Sequence, residues 1–341
     1  MKILLRADAS ASQGTGHVMR LLTLGEALVE AGHETHLATN DSEVPWLEQN
    51  IASSGLALHR VRTNSLDESL LVELMPDWLV VDSYAIDAAA IGSMRKRTKV
   101  LAVVDSDSRG IDADLFLDHN IGAEDRVWPD EMRDSLLAGS KYALVRKAIR
   151  SVRRENAWLG VPEPRVLAVM GGSDPIGMIV VVARALVACA SPMSATLVCA
   201  PQWRTAVDAI VTNNRNIQVV EPTNDLPGLL KSANIAISAA GTSSWELCTL
   251  GLPSILIQVV DNQAESLHTM IDRGLVVGID PTQWAPEALA PEITARLEML
   301  LVDEQLRRNL SEACAEFFDG AGPQRVVVEL ERKLISETSE H

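Results

Sequence analysis

Positive charge is in short supply in this chain. Its 341 residues hold 30 Lys and Arg against 46 Asp and Glu, a net charge of −16 at pH 7. A nucleic-acid surface draws its affinity from clustered Lys and Arg, so the balance argues against that partner. An anionic small molecule stays open, because backbone N–H groups at helix starts hold phosphates without net positive charge. Cysteine is scarce as well. Cys189, Cys199, Cys248 and Cys314 are widely scattered, with no C-x-x-C pair and no His at metal-ligand spacing. They read as buried thiols in a reducing compartment rather than as a disulfide framework or a zinc site. Long apolar runs are missing too. The most apolar stretch, Ile176 to Ala190, is interrupted by Arg184 and is too short to span a bilayer. The N-terminus enters a strand without the basic, apolar and cleavage regions of a signal peptide. A cytoplasmic protein with no stable membrane association is the expectation.

What is present is a core and a regular pattern. Hydrophobic residues make up 47% of the chain, and the length suits two domains of ordinary size. Ile3-Leu4-Leu5 reads as a first strand, and Leu21, Leu24 and Leu28 mark one face of a helix after it. Strand-like runs follow at 34–39, 58–61, 78–81 and 100–104, with helical runs at 44–53 and 66–75. The runs at 78–81 and 100–104 are continuously apolar and lead into Asp82 and Asp105. Such runs suit parallel strands buried on both faces. Between Tyr142 and Glu163 the pattern breaks into a basic run followed by Gly160, Pro162 and Pro164. A second set of strands then appears at 166–170, 196–199, 217–220, 235–238 and 254–257. The reading is two doubly wound α/β domains, 1–150 and 151–341, facing across a cleft, with helices in 304–333 crossing back to brace the first.

Four loops carry candidate chemistry. Gly14-Thr15-Gly16-His17-Val18-Met19-Arg20 joins the first strand to the first helix, where ligands bind in open α/β sheets. Its glycines permit a tight turn and a close ligand approach. It is not a dinucleotide fingerprint, because Met19 stands where G-x-G-x-x-G needs a third small residue. His17 is the catalytic candidate. A helix N-terminus disfavours imidazolium, which is an awkward structural choice and a suitable one for a general base.

In the second half, Met170-Gly171-Gly172-Ser173-Asp174-Pro175 is either a turn whose N–H groups face a diphosphate or an ordinary Asp-Pro helix start. Ser238-Ala239-Ala240-Gly241-Thr242-Ser243-Ser244-Trp245-Glu246 is more specific, since it offers small residues, hydroxyls and free helix N–H groups to an anion. Glu246 has two readings. It completes a capping box with Ser243, or it accepts both hydroxyls of a ribose. Asn262 and Gln263, after the run at 254–257, offer side-chain amides to sugar hydroxyls.

Taken together, Arg6-Ala7-Asp8 with Gly14 to Arg20, Asp82-Ser83-Tyr84 with Asp87, Tyr142 to Arg146, Met170 to Pro175 and Ser238 to Gln263 resemble the UDP-sugar hydrolases of pseudaminic acid biosynthesis. The resemblance spans nearly the whole chain in the same order. It implies the GT-B fold and cleavage of UDP-2,4-diacetamido-2,4,6-trideoxy-β-L-altropyranose to UDP and the free sugar, with no cofactor. It also implies roles: His17 as general base, with Gly16 in the same loop, and Tyr84 lining the sugar pocket. Gly172, Gly241, Thr242 and Ser243 fall to the diphosphate loops, Glu246 to the ribose, and Asn262 and Gln263 to the sugar. Three positions depart from the family pattern. Asp105-Ser106 stands where two aspartates are usual, Gly177 where an asparagine is usual, and Ser83 where a histidine is common.

The expected chemistry is inverting, metal-independent hydrolysis, with His17 activating water and UDP as a good leaving group. The alternative is a glycosyltransferase on the same scaffold, His17 deprotonating a small acceptor. A non-catalytic UDP-sugar binder is the third reading, and it leaves the His17 loop unexplained.

Overall fold

The computed structural model describes residues 1–9, 14–40, 44–152, 161, 163–171 and 174–338. The chain divides into two units, Met1–Lys147 with Gly320–His341, and Ala148–Asp319. The first is built on β1 (Lys2–Ala7), β2 (Glu34–Thr39), β3 (Ala57–Arg60), β4 (Trp78–Asp82), β5 (Lys99–Val103), β6 (Leu115–Asp118) and β7 (Leu136–Ala138). They lie in the order β3-β2-β1-β4-β5-β6-β7, every pair parallel. The second holds β8 (Arg165–Val169), β9 (Ser194–Val198), β10 (Ile217–Val220), β11 (Ile235–Ala239), β12 (Ser254–Ile257) and β13 (Val277–Ile279). Their order is β10-β9-β8-β11-β12-β13, again all parallel. In each sheet the strand order reverses beside the first strand. That is the switch point where the crevice at the carboxyl ends of the strands receives ligands.

The parallel sheets follow from the composition of their central strands. All five positions of β4 and of β11 are buried, as a strand covered on both faces requires. Alternate residues feed different cores: Ile3, Leu5, Trp78, Val80 and Leu101 on one face, Leu4, Leu79, Val81 and Val100 on the other.

Helices α1 (Gly16–Glu30), α2 (Pro45–Ser53), α3 (Glu68–Leu74) and α4 (Ala88–Ser93) belong to the first unit, and α5 (Lys147–Arg150) spans the division. The second unit contains α6 (Met178–Ala188), α7 (Pro201–Val211), α8 (Leu226–Ser232), α9 (Ser243–Thr249), α10 (Ala264–Asp272), α11 (Pro286–Val302) and α12 (Glu304–Phe317). On α1, Val18, Leu21, Leu24 and Leu28 are fully buried. Gly25 lets this helix sit close to the sheet, because a Cβ there would come within 2.9 Å of Leu5 Cδ1.

The last helix, α13 (Gly322–Thr338), returns to the first unit. Val326, Val327 and Leu330 pack into the same core as Leu21, Leu24 and Leu28, each aliphatic side chain contributing about 1.5–3 kcal/mol. His33 Nε2 meets Glu331 Oε1 at 2.9 Å, and Arg325 donates to the Lys141 carbonyl at 2.9 Å. A Cβ on Gly322 would run into the Ala143 carbonyl, so glycine is what allows the helix to start there. By packing, α13 goes with the first unit, whereas α12 stays in the second. Among the described residues no helix is long and apolar enough to cross a membrane.

Candidate active site

The loop from β1 to α1 sits at the first switch point, since β1 is flanked by β2 and β4. Gly14 has φ +81°, a left-handed conformation that favours glycine. Gly16 needs no such freedom, and a Cβ on it would meet nothing within 4 Å. The helix begins without a side-chain cap from Thr15, which leaves first-turn N–H groups unsatisfied by that residue. His17 is the second residue of α1, and Arg20 follows one turn later.

These two side chains meet the carboxylate that ends β4. His17 Nδ1 lies 2.6 Å from Asp82 Oδ1. Arg20 grips the same carboxylate at both oxygens, Nε to Oδ2 at 2.8 Å and NH2 to Oδ1 at 2.8 Å. Arg20 NH2 also lies 2.7 Å from His17 Nδ1. A guanidinium only donates and an ionised carboxylate only accepts, so Nδ1 cannot serve both. Burial works against ionisation of Asp82, but Arg20 and His17 outweigh it and hold its carboxyl below the usual range. With Asp82 ionised, the consistent assignment is Nδ1–H donating to Asp82. The ring's other nitrogen, Nε2, then carries the lone pair, and it has no hydrogen-bond partner among the described residues.

A second layer surrounds this pair. Tyr84 stands edge-on to the His17 ring, centroids 5.1 Å apart at 79°, and its hydroxyl donates to Asp105 Oδ2. Asn120 donates to Asp105 Oδ1 at 2.6 Å, and Arg20 NH1 approaches the same oxygen at 3.4 Å. Burial alone would push Asp105 up, yet Arg20, the Tyr84 hydroxyl, His119 and Asn120 hold it far below the usual carboxylate range. Burial, reinforced by Asp105, pushes the Tyr84 phenol well above its ordinary value, so Tyr84 keeps its proton as a donor. The Arg109 guanidinium lies 4.9 Å from the Tyr84 ring centroid and donates to the Ser83 carbonyl at 2.7 Å.

The two departures in this region have local structural roles. Ser83 Oγ accepts from the N–H groups of Ala85 and Ile86, turning the chain that carries Tyr84. Ser106 takes a left-handed conformation, φ +69°, and its N–H donates to Asp118 Oδ2 at 2.9 Å.

In the second unit, β11 runs into Gly241 and α9. Gly241, Thr242 and Ser243 are half-buried, and Ser244 is fully buried, so the reachable part of the loop is 241–243. The helix cap is Thr242, already helical at φ −58° and ψ −24°, with no side-chain capping bond. The capping-box reading needs Ser243 as the cap with Glu246 three residues on. The helix starts one residue earlier, so Glu246 stands fourth after the cap, 7% exposed. Gln263 is brought to the same loop. Its Nε2 would lie 3.4 Å from a Cβ on Gly241, while its Oε1 accepts from Val259 N–H at 2.8 Å. Asn262 is exposed beside it on the 3-10 turn Asp261–Gln263.

Gly172 lies outside the described residues. Around it, Gly171 is left-handed at φ +73°, and Asp174 accepts from Met178 and Ile179 N–H, both at 2.9 Å. That carboxylate occupies the start of α6, as an Asp-Pro helix opening does. Gly177 has its own explanation. It is left-handed, and a Cβ would come within 3.0 Å of the Trp203 indole, whose Nε1 donates to the Asp174 carbonyl at 2.8 Å. Glycine there makes room for the tryptophan.

The structure thus brings together His17 and Tyr84 in the first unit, and Gly241 and Gln263 in the second. Asp82, Arg20, Asp105 and His119 complete the first group, and sequence reasoning did not assign them roles. The one available signal was the pair of apolar strand runs leading into aspartates.

Comparison with known proteins bears on the fold that carries these residues. Residues 166–311 match the model of the glycosyltransferase family 28 C-terminal domain. Over 97% of this chain and 98% of the relative, the sequence is 24% identical to the spore coat polysaccharide biosynthesis protein SpsG of Bacillus subtilis. The structure superposes on Acinetobacter baumannii MurG with a TM-score of 0.67 at 16% identity, covering 97% of this chain and 100% of that one. On the UDP complex of S. aureus MnaA the TM-score is 0.68 at 15% identity, with 98% of each chain covered. The chain therefore has the GT-B fold, with its second unit similar to the C-terminal domain of glycosyltransferase family 28 and its whole length distantly related to a spore coat polysaccharide protein.

Proposed function

We propose that the protein hydrolyses a UDP-linked diacetamido-trideoxy sugar to UDP and the free sugar, with inversion and without a metal, in nonulosonic (pseudaminic) acid biosynthesis. One observation carries the reading: His17 Nδ1 is held by the Asp82 carboxylate at 2.6 Å, which leaves Nε2 as the basic nitrogen. The arrangement follows the logic of an oriented histidine whose partner carboxylate fixes the tautomer and stabilises the imidazolium. The similarity to a polysaccharide biosynthesis protein and the UDP bound by a protein of the same fold support a UDP-sugar as the substrate.

In this reading Nε2 takes a proton from water and the water oxygen attacks the anomeric carbon. The bond from that carbon to the diphosphate oxygen breaks, and its electron pair leaves with UDP. N–H groups around Gly241, Thr242 and Ser243, with Gly172, hold the departing diphosphate, since dipoles already oriented where charge develops need no reorganisation. Glu246 takes the ribose hydroxyls. Tyr84, Asn262 and Gln263 address the sugar, and Gly16 leaves open space beside the base.

The family 28 match favours one second reading, transfer of the sugar to a small acceptor by the same base. Incubation with UDP-sugars in the absence of any acceptor separates the two. Hydrolysis releases UDP at a catalytic rate, above roughly 1 s⁻¹. Turnover that appears only after a second substrate is added assigns the protein as a transferase.

A further inference from the structure

We infer that Arg20 is the positioning residue of this centre: its guanidinium fork fixes the Asp82 carboxylate in the orientation that accepts from His17 Nδ1, and so makes Nε2 the base. The inference rests on the function proposed above and adds a role for a residue buried beside the proposed base. Arg20 stands three residues after His17, the spacing that places two side chains on one helix face. Its Nε and NH2 bond the two oxygens of Asp82, both at 2.8 Å, the bidentate geometry for which the planar guanidinium is suited. A carboxylate held at one oxygen turns easily about its last torsion. Held at both, it presents Oδ1 to His17 in a fixed direction. The Arg20 side chain is only 8% exposed, so its effect passes through Asp82.

The rest of the guanidinium is also used. NH1 faces Asp105 Oδ1 at 3.4 Å and His119 Nε2 at 3.3 Å, and a guanidinium can only donate, so His119 accepts there as a neutral ring. The groups facing His17 are therefore Arg20 on its own helix, Asp82 at the end of β4, Tyr84 on the loop after it, and Asp105 behind Tyr84. When His17 takes a proton, two cations stand against two carboxylates. Without Arg20, the same two carboxylates face the imidazolium alone, and the fork that holds Asp82 at both oxygens is lost.

The test compares wild type with Arg20→Lys, Arg20→Gln and the double variant Arg20→Gln/Asp82→Asn. Lysine keeps the charge but, as a point ammonium, cannot fork the carboxylate. One readout needs no substrate: long-range ¹H–¹⁵N spectra of ¹⁵N-histidine-labelled protein report which ring nitrogen bears the proton. Wild type should show the His17 proton on Nδ1, and Arg20→Lys a mixture of tautomers with its fold intact. In turnover, Arg20→Lys should lower kcat by roughly 10–100-fold, the scale of a small misplacement of a catalytic group, with KM within about threefold. Arg20→Gln, which removes the fork and the charge together, should lower kcat at least as far as Arg20→Lys, again with KM little changed. If Arg20→Gln alone does not fold, the double variant, which also removes a buried carboxylate charge, should fold without regaining the rate. An Arg20→Lys protein with wild-type kcat and an unmixed Nδ1–H tautomer overturns the inference. So does a rate that falls only with the folded fraction. If wild type releases no UDP from any UDP-sugar, the proposed function fails, and the tautomer spectra alone decide the role of Arg20.

Discussion

At the scale of residues, the proposed base stands or falls on His17. If its ring takes the proton from water, His17→Asn should lower kcat by roughly 10²–10⁴-fold, the usual contribution of such a group, and leave KM within a few fold. Wild-type turnover in ¹⁸O water locates the attack: label in the sugar places it at the anomeric carbon, whereas label in UDP places it at phosphorus and removes His17 from this mechanism. Glu246 offers a second test. A carboxylate that accepts two ribose hydroxyls loses about 1.5–3 kcal/mol per bond on truncation, so Glu246→Ala should raise the calorimetric Kd for UDP at least tenfold. A variant that melts lower and binds UDP as before assigns Glu246 a purely structural role. His17 was legible in the sequence because its glycine-flanked turn lies between a strand and a helix in a single stretch. Its partners were not, since Asp82 is 62 residues from Arg20 and His119 is 99. Only the sheet order brings them together.

At the scale of elements, the sequence yields every strand except β6, β7 and β13. β1, β4, β5 and β12 are continuous apolar or nearly apolar runs between turn signals, and they stand out. β7 and β13 have three residues each, too few to show any period. The attachment of α13 to the first unit depends on a contact that no local pattern announces, the closeness of Gly322 to Ala143. Overpacking at such a contact typically costs about 1–3 kcal/mol. Gly322→Ala should therefore lower the unfolding free energy by that amount, read as a lower denaturant midpoint at unchanged slope, with the loss of protection centred on α13 and α1. Gly16→Ala is the contrasting case. Its Cβ meets nothing within 4 Å, so stability should stay within about 0.5 kcal/mol of wild type, and any loss of turnover reports the space that substrate needs. A Gly16→Ala protein that is strongly destabilised contradicts the open geometry of the loop.

At the scale of the whole molecule, the two units should answer to different solution conditions. His119 is fully buried, and burial, with Arg20 beside it, lowers its pKa to about 4. An unfolded histidine takes its proton near pH 6.5. Above that pH neither state is protonated and the shift has no effect. As pH falls, the unfolded chain gains a proton that the folded one refuses, so stability is lost from about pH 6.5 down to about 4. Each unit of pH costs on the order of 1.4 kcal/mol, or about 2 kcal/mol between pH 6.5 and 5. His59 acts in the same sense, since burial and His36 lower its pKa. Asp82 and Asp105, held low, lose their stabilising contribution only as pH falls below the usual carboxylate range, outside this window. Both histidines lie in the first unit. Hydrogen exchange should therefore show β1, β4 and β6 losing protection between pH 6.5 and 5, after correction for the intrinsic exchange rate, and His119→Asn should flatten that slope. UDP should act elsewhere. At a hundredfold excess over Kd it adds about 2.7 kcal/mol to whatever unit binds it, and the proposed loops place that gain in peptides covering 238–246 and 259–263. Acid sensitivity spread equally over both units would refute the assignment to His119, and UDP protection confined to the first unit would refute the assignment of the nucleotide to the Gly241 loop.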